Sequence, residues 1–179
     1  GANWSLVRPF VNMYLMRDGN RFTDRTDYAT MQYMDEFQNR DCRLMQTVIS
    51  PSYQRKISGT VKPDAPNFSM TSTGYQLIKW AIDDDVHVGK ATANNSIPIF
   101  RYAEVLLDYA EVMFRLGNTE VARTQVNAIR RRVHMDELPL LTWEQLVNER
   151  RVELAFEETS YWDFFRWGIA EEKLNGTSN

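Results

Sequence analysis

Residues 101–116, RYAEVLLDYAEVMFRL, have the clearest helical pattern in the chain. Apolar side chains recur every three or four residues along this stretch, which is the spacing of an amphipathic α-helix. They form a first stripe of seven residues: Tyr102, Val105, Leu106, Tyr109, Ala110, Met113 and Leu116. Ala103, Leu107 and Phe114 form a second stripe. Two apolar stripes predict a helix that is buried on two sides.

A second helix is predicted directly after this stretch. Gly117 suits the left-handed position that ends a helix, and Thr119 can cap the next one. Residues 120–133 then carry apolar side chains at helical spacing. Because the turn between the two helices is short, we expect an antiparallel hairpin.

Two further helices are predicted towards the end of the chain. Thr142 and Gln145 form a capping box for a helix over residues 143–157. An aromatic-rich helix follows over residues 161–174. Two consecutive hairpins are similar to tetratricopeptide stacking, but they are too few for an independent solenoid. We therefore expect Trp162, Phe165 and Trp167 to lie in the core or at an interface with a part of the protein beyond this chain.

The first half of the chain is predicted to consist of short elements within long loops. The expected elements are a short helix near residues 6–14, a helix over 30–38, strands over 44–49 and 75–82, and a loop over 50–74. We expect one mostly α-helical domain, a truncated part of a longer chain. Residues 1–98 would form its loop-rich segment and residues 99–179 its helical core segment.

Charge and cysteine content exclude several classes of protein. The net charge of −3 argues against a nucleic-acid-binding protein, which normally carries a basic surplus. The single cysteine, Cys42, excludes an intrachain disulfide framework and a four-cysteine zinc site. No run of apolar residues approaches the ~18 that a membrane-spanning helix needs.

Six sequence blocks, in the order of the family pattern, resemble the SusD/RagB family. Residues 99–111 resemble its helix RYAEVLLMYAEA, and residues 127–132, 149–157 and 163–168 resemble LNxIRxRAG, ERRxELAFE and DLxRWG. Upstream, Asp18-Gly19 with Phe22 resembles the DGxPF turn, and residues 39–44 resemble NRDPRL. Cys42 stands where the family usually has Pro. Glu158 and Ser160 replace the Gly and Arg that normally follow the ELAFE block.

The resemblance implies a SusD-like helical fold whose tetratricopeptide-like units lie in an N-terminal part that this chain lacks. It also implies a non-catalytic protein at the outer-membrane surface, anchored by a lipid on an N-terminal cysteine that is likewise absent. Such a protein binds glycans, oligosaccharides or, in some members, peptides, and delivers them to a TonB-dependent outer-membrane transporter. No cofactor and no nucleic acid are implied.

Three groups of residues could suggest catalysis or metal binding, and for each a structural interpretation is favoured. Glu149, Glu153 and Glu157 could suggest glycoside hydrolysis, but the interleaved arginines favour an ion-pair network. The run of residues 83–85, three aspartates, could bind calcium, but a solvated acidic turn is favoured. His87 and His134 show no metal-binding spacing.

Loop aromatic residues are the best candidates for ligand contacts. Sugar rings present apolar C–H faces flanked by hydroxyl groups, so their sites combine an aromatic surface with polar side chains. The predicted ligand-binding residues are Trp4, Tyr53, Arg55, Asn67 and Trp80. A different hypothesis is a structural adaptor that docks the transporter, with the ligand site elsewhere in the full protein.

Overall fold

The computed structural model describes residues 5–84, 96 and 98–175. Helices dominate the described part of the chain, as predicted. The α-helices are α1 (Arg8–Val11), α2 (Cys42–Thr47), α3 (Tyr102–Arg115), α4 (Thr119–Arg132), α5 (Trp143–Glu153), α6 (Thr159–Arg166) and α7 (Ala170–Leu174). A 3-10 turn spans Phe22–Asp24, and strands β1 (Gln54–Ile57) and β2 (Thr60–Pro63) form a two-stranded sheet. No helix within these residues has the length and apolar character needed to span a bilayer.

Residue contacts divide the chain into two units. The first contains Gly1–Arg101 and Asn127–Pro139, and the second contains Tyr102–Val126 and Leu140–Asn179. The two units are described separately below.

The core of the first unit is organised around the buried side chain of Arg40. Its guanidinium donates to the carbonyl oxygens of Val11, Tyr14 and Glu36 at 2.7–2.9 Å and lies 3.8 Å from the centre of the Phe22 ring. These contacts satisfy backbone acceptors that short, irregular elements would otherwise leave unpaired. One arginine therefore fixes three loop segments around an aromatic core.

The structure differs from the predicted elements of the first half in three places. Residues 75–82 form no strand, and only Gln76 and Leu77 in this stretch make isolated bridges, apart from the ladder of a sheet. Residues 30–38 form turns and not a helix, because Phe37 is buried while Met34 is 62% exposed, so the apolar positions do not share one buried face. The predicted strand over 44–49 is also wrong. The Asp41 carboxylate caps the backbone N–H of Arg43 and starts α2 there. Only Val48, after the helix, makes a bridge, to Leu77.

The predicted loop over residues 50–74 contains the β1–β2 hairpin. Its register pairs Gln54 with Pro63 and Ile57 with Thr60. The connecting residues Ser58 and Gly59 both have positive φ, 49° and 79°. Positive φ at both central residues matches the right-handed twist of a two-residue hairpin.

In the second unit, α3 packs against α5. The capping box of Thr142 and Gln145 is present in both directions, as predicted. The expected burial of α3 on two sides is only partly observed. Leu107 and Ala110 are buried, whereas the stripe residues Tyr102 and Leu116 are 74% and 68% exposed.

The predicted last helix is two helices. Gly168 adopts a φ of +73° between α6 and α7, and a helix cannot continue through that conformation. Trp167 is half-buried, and its indole N–H donates to the Glu111 carboxylate at 3.2 Å. Trp162 and Phe165 are exposed, so within this unit they are not core residues.

Candidate functional site

Three of the five predicted ligand-binding residues lie at the hairpin or in the segment 79–84, which lies beside it. Tyr53 precedes β1, Arg55 lies within β1, and Trp80 lies in the segment 79–84. Asn67 lies in a separate turn. Trp4, like Asp85 and His87, lies outside the described residues.

The segment 79–84 runs beside β1. The backbone N–H of Lys56 donates to the carbonyl oxygen of Asp83 at 2.7 Å, and Lys56 and Asp84 form a parallel bridge. The Lys56 ammonium also lies 3.0 Å from the Asp84 carboxylate. These contacts join the chain around Trp80 to the outer edge of the hairpin.

Tyr53 is held in place at both its backbone and its hydroxyl group. Its carbonyl oxygen accepts from the backbone N–H of Asp64 at 3.1 Å, and its hydroxyl donates to the Asp83 carboxylate. Burial, and next the hydrogen bond to Asp83, raise the pKa of the Tyr53 hydroxyl. The group therefore stays protonated and donates its single proton to Asp83, which leaves its oxygen as an acceptor.

Trp80 is exposed in a strained backbone conformation. Its φ is +69°, a value that is a genuine outlier for a bulky side chain. Its residue surface is 38% exposed, and the Lys79 ammonium lies 5.5 Å from the ring centre. Backbone strain of this kind costs about 1–3 kcal/mol and is found most often at functional sites.

Arg55 carries a buried donor atom without a partner. Its Nε is inaccessible to solvent and makes no hydrogen bond within the described part of the chain. A buried donor left without an acceptor costs about 1–3 kcal/mol.

Asn67 serves a local turn. Its side-chain oxygen accepts from the backbone N–H of Ser69 at 2.9 Å, and its backbone N–H donates to the side-chain oxygen of Gln76 at 2.8 Å. The neighbouring Phe68 is 76% exposed. The hydrogen bonds of Asn67 do not connect it with Tyr53, Arg55 or Trp80.

We define the hairpin site as Tyr53, Arg55, Lys56, Trp80, Asp83 and Asp84. Sequence reasoning interpreted Asp83 and Asp84 as a solvated acidic turn, but the structure pairs them with Tyr53 and Lys56. No local pattern could reveal these pairs, because their members are 30 and 28 residues apart. Within the residues that the structure describes, no group of three or more His, Cys, Asp or Glu side chains could hold a metal ion.

The carboxylates that could have suggested hydrolysis lie in the second unit. Glu149 and Glu153 are 2% and 4% exposed, which leaves little room for contact with a glycosidic bond. Between them, Arg150 forms ion pairs with Asp163 of α6 and Asp108 of α3. Arg150 is therefore the centre of an ion-pair network that joins α5 to aspartates of α6 and α3.

Comparison with known proteins gives one matching family and several similar solved structures. The family model described as the SusD family matches residues 1–179. A SusD-like protein from Bacteroides fragilis NCTC 9343 superposes with a TM-score of 0.78 at 25% identity, covering 94% of this chain and 36% of its own. The protein BT4246 superposes with a TM-score of 0.72 at 21% identity, covering 94% of this chain and 34% of its own, and this likeness supports the fold. A search of curated proteins gives no match.

This chain spans about a third of the length of the solved structures that it matches. The family match extends over every residue, and the six sequence blocks that resemble the family are distributed along the same range. The fold of the SusD-like relative agrees with the helix-dominated architecture described above. The chain belongs to the SusD family.

Proposed function

We propose that this chain takes part in the non-catalytic binding of a glycan, or of another nutrient, at the outer-membrane surface. Proteins of the SusD family bind nutrients or glycans, and that is the first support for the proposal. The observation that carries it within this chain is Trp80, an exposed ring held in a strained backbone conformation beside the hairpin. We extend the proposal to a lipid-anchored full-length protein that delivers its ligand to a TonB-dependent transporter.

The hairpin site has the chemistry that sugar recognition requires. An indole ring offers an apolar face to sugar C–H groups, and a planar guanidinium or a carboxylate offers hydrogen bonds to hydroxyl groups. Trp80 supplies the ring, and the half-buried guanidinium of Arg55 supplies donors. Lys56 and Asp84 place one charge of each sign at the same edge of the hairpin. This mixture fits a neutral, hydroxyl-rich ligand better than a strongly charged one.

Affinity electrophoresis of the whole chain in gels that contain neutral polysaccharides tests the proposal. The matched variants are Trp80→Gly, which removes the ring and suits a positive φ, and Phe68→Ala, which removes an exposed ring outside the hairpin site. We expect Trp80→Gly to weaken binding about tenfold or more, as for an aromatic residue at the centre of a binding site. Phe68→Ala should bind like the parent chain.

Binding that is equal in the parent chain and Trp80→Gly would remove the hairpin site from the proposal. Failure of the folded parent chain to bind any polysaccharide would argue against ligand capture by this part of the protein. Circular dichroism of each variant shows whether it is folded.

A second candidate function is a structural adaptor that docks the transporter. The observation that favours it is the exposed aromatic cluster of α6, in which the Tyr161 ring lies 5.3 Å from that of Trp162 and 5.0 Å from that of Phe165. Exposed apolar patches often mark protein interfaces. This function predicts that Trp162→Ala weakens association with the purified transporter while polysaccharide binding is unchanged. Equal association of the parent chain and of Trp162→Ala with the transporter would count against this function.

A further inference from the structure

A cavity in the first unit is lined by residues that do not belong to the hairpin site. Residues between 22 and 39, most of them exposed, line an open cavity of about 400 Å³, within the range of small-molecule pockets. The buried ring of Phe22 and the side chain of Met31 contribute its apolar lining, and polar side chains contribute the rest.

The walls of this cavity are held by contacts with the core. The Phe22 ring lies under the buried Arg40 guanidinium at 3.8 Å and packs edge-on against Tyr28. At the other end, the carbonyl oxygen of Asn39 accepts from the backbone N–H of Arg17 at 2.8 Å. Both ends of the lining segment are therefore fixed without a ligand, which lowers the entropic cost of binding.

Asn39 is part of the cavity lining and has a free carboxamide. Its φ of +54° is a left-handed conformation that asparagine tolerates, and its carboxamide makes no hydrogen bond within the described residues. An amide offers both donors and an acceptor, the combination that a sugar hydroxyl needs. Gln32, whose Nε2 donates to the carbonyl of Thr30 at 3.3 Å, keeps its side-chain oxygen as a second acceptor.

The charges of the cavity disfavour an anionic ligand. The Arg25 guanidinium makes two hydrogen bonds, of 2.9 and 2.8 Å, to the Asp27 carboxylate, and the hydrogen bond to Arg25 lowers the pKa of Asp27. The two donors that Arg25 would offer to an anionic ligand are therefore already occupied by Asp27. Asp35 accepts from the Gln38 amide at 2.8 Å and adds a negative charge. One positive and two negative side chains leave a net charge of −1 on the lining.

We propose that this cavity binds one unit of a neutral saccharide and discriminates against acidic sugars. The inference rests on the proposed saccharide-binding function and adds to it a second contact point and a charge preference. The free carboxamide of Asn39 and the carboxylate acceptors match neutral hydroxyl groups, whereas the carboxylate of a uronic acid would meet Asp35 without a free cation to pair with.

Amide NMR of the whole chain, titrated with maltoheptaose, laminarihexaose and cellohexaose as neutral probes and a galacturonate hexamer as the acidic probe, tests the proposal. We expect a neutral probe to shift the amide resonances of residues 32–39. Asn39→Gly, which keeps the left-handed conformation and removes the amide, should weaken that binding about three- to tenfold, the effect of one hydrogen bond. Asp35→Asn should raise the affinity for the galacturonate hexamer relative to the neutral probe.

Met34→Ala is the matched control, because Met34 lies in the same turn segment, is exposed and does not line the cavity. Trp80→Gly separates this inference from the proposed function. If a neutral probe binds and only Trp80→Gly weakens it, the cavity is not a binding site, although saccharide capture stands. If no neutral probe shifts any resonance, both ideas fail. Tighter binding of the acidic probe than of every neutral probe by the parent chain would also overturn the inference.

Discussion

The Nε atom of Arg150 lies 2.7 Å from Oδ2 of Asp163, and both side chains are almost fully buried. The pair joins α5 to α6 across 13 residues of sequence. Arg150 also donates to Asp108 of α3 at 2.6 Å. Three of the sequence blocks that resemble the family therefore converge on one guanidinium, which ties the helices of the second unit together.

Arg150→Met should destabilise the chain by about 3–5 kcal/mol, because removing one partner leaves a buried carboxylate with less compensation. Urea unfolding followed by circular dichroism measures the change. Arg123→Met is the control, since its pair with Glu120 lies on the surface of α4 and should contribute less than about 1 kcal/mol. Equal losses in the two variants would show that the buried pair has no special role.

Glu158→Gly should stabilise the chain by about 0.5–1 kcal/mol. Glu158 has a φ of +62° at the N-cap of α6, where a glycine avoids the steric cost of the left-handed conformation. Thermal unfolding measures the gain as a higher Tm. Glu158→Ala keeps the steric cost and should change little, so an equal gain in both variants would contradict this explanation.

Cys42→Pro should be tolerated and should stabilise the chain by about 0.4–1 kcal/mol. Cys42 is the first residue of α2, a position that suits proline because its N–H has no partner within the helix. The preceding Asp41 has a ψ of 124°, which is the conformation favoured before proline. Urea unfolding compares this variant with Cys42→Ala, which also removes the contact of the Cys42 Sγ with the carbonyl of Val133. A lower stability of Cys42→Pro than of Cys42→Ala would contradict the prediction.

The free energy of unfolding should fall as the pH rises from 10 to 12. Burial, and next the charge of Glu36, raise the pKa of Tyr33 to about 12, and burial and the hydrogen bond to Glu36 raise the pKa of Tyr75. Because the folded state holds these protons more tightly than the unfolded state, their contribution is complete below pH 10 and is lost as the pH passes the folded pKa. Urea unfolding at a series of pH values measures the slope.

The free energy of unfolding of Tyr33→Phe should decline less steeply above pH 10, since this variant lacks one of the titrating hydroxyl groups. It should also be less stable at pH 8, because the hydroxyl donates to the carbonyl oxygen of Ile49. Tyr109→Phe, at an exposed position, should follow the parent chain. If the stability of the parent chain does not change between pH 10 and 12, the loss of stability expected from Tyr33 and Tyr75 is contradicted.

The helices of the second half could be predicted closely from local patterns. The capping box of Thr142 and Gln145 begins α5 at Trp143, and the apolar spacing of residues 101–116 matches α3. The first half was harder to predict. β-Branched residues at 47–49 favoured a strand, but the cap at Asp41 produced a short helix, and the positive φ of Ser58 and Gly59 produced a hairpin within a predicted loop. Weak local preferences in that half are overridden by tertiary contacts such as those of Arg40.

The candidate site was predicted only in part. Tyr53, Arg55 and Trp80 could be selected because aromatic and polar residues in a loop-rich segment are typical of ligand contacts, and the structure places them on or beside one hairpin. The contacts of Asp83 with Tyr53 and Lys56 could not be predicted, because no spacing rule relates residues that meet only after folding. The cavity at residues 22–39 has no signature in the sequence, since a concave shape depends on how turns pack against Phe22 and Arg40.

The sequence by itself determined the helical character of the second half and the family, because helix periodicity, caps and ordered motif blocks are encoded within a few residues of each other. Only the tertiary structure decided which side chains meet. Arg150 reaches Asp108 across 42 residues, and Lys56 reaches Asp84 across 28. Such contacts depend on the packing of whole segments, which local hydrogen bonding and hydrophobic spacing do not specify.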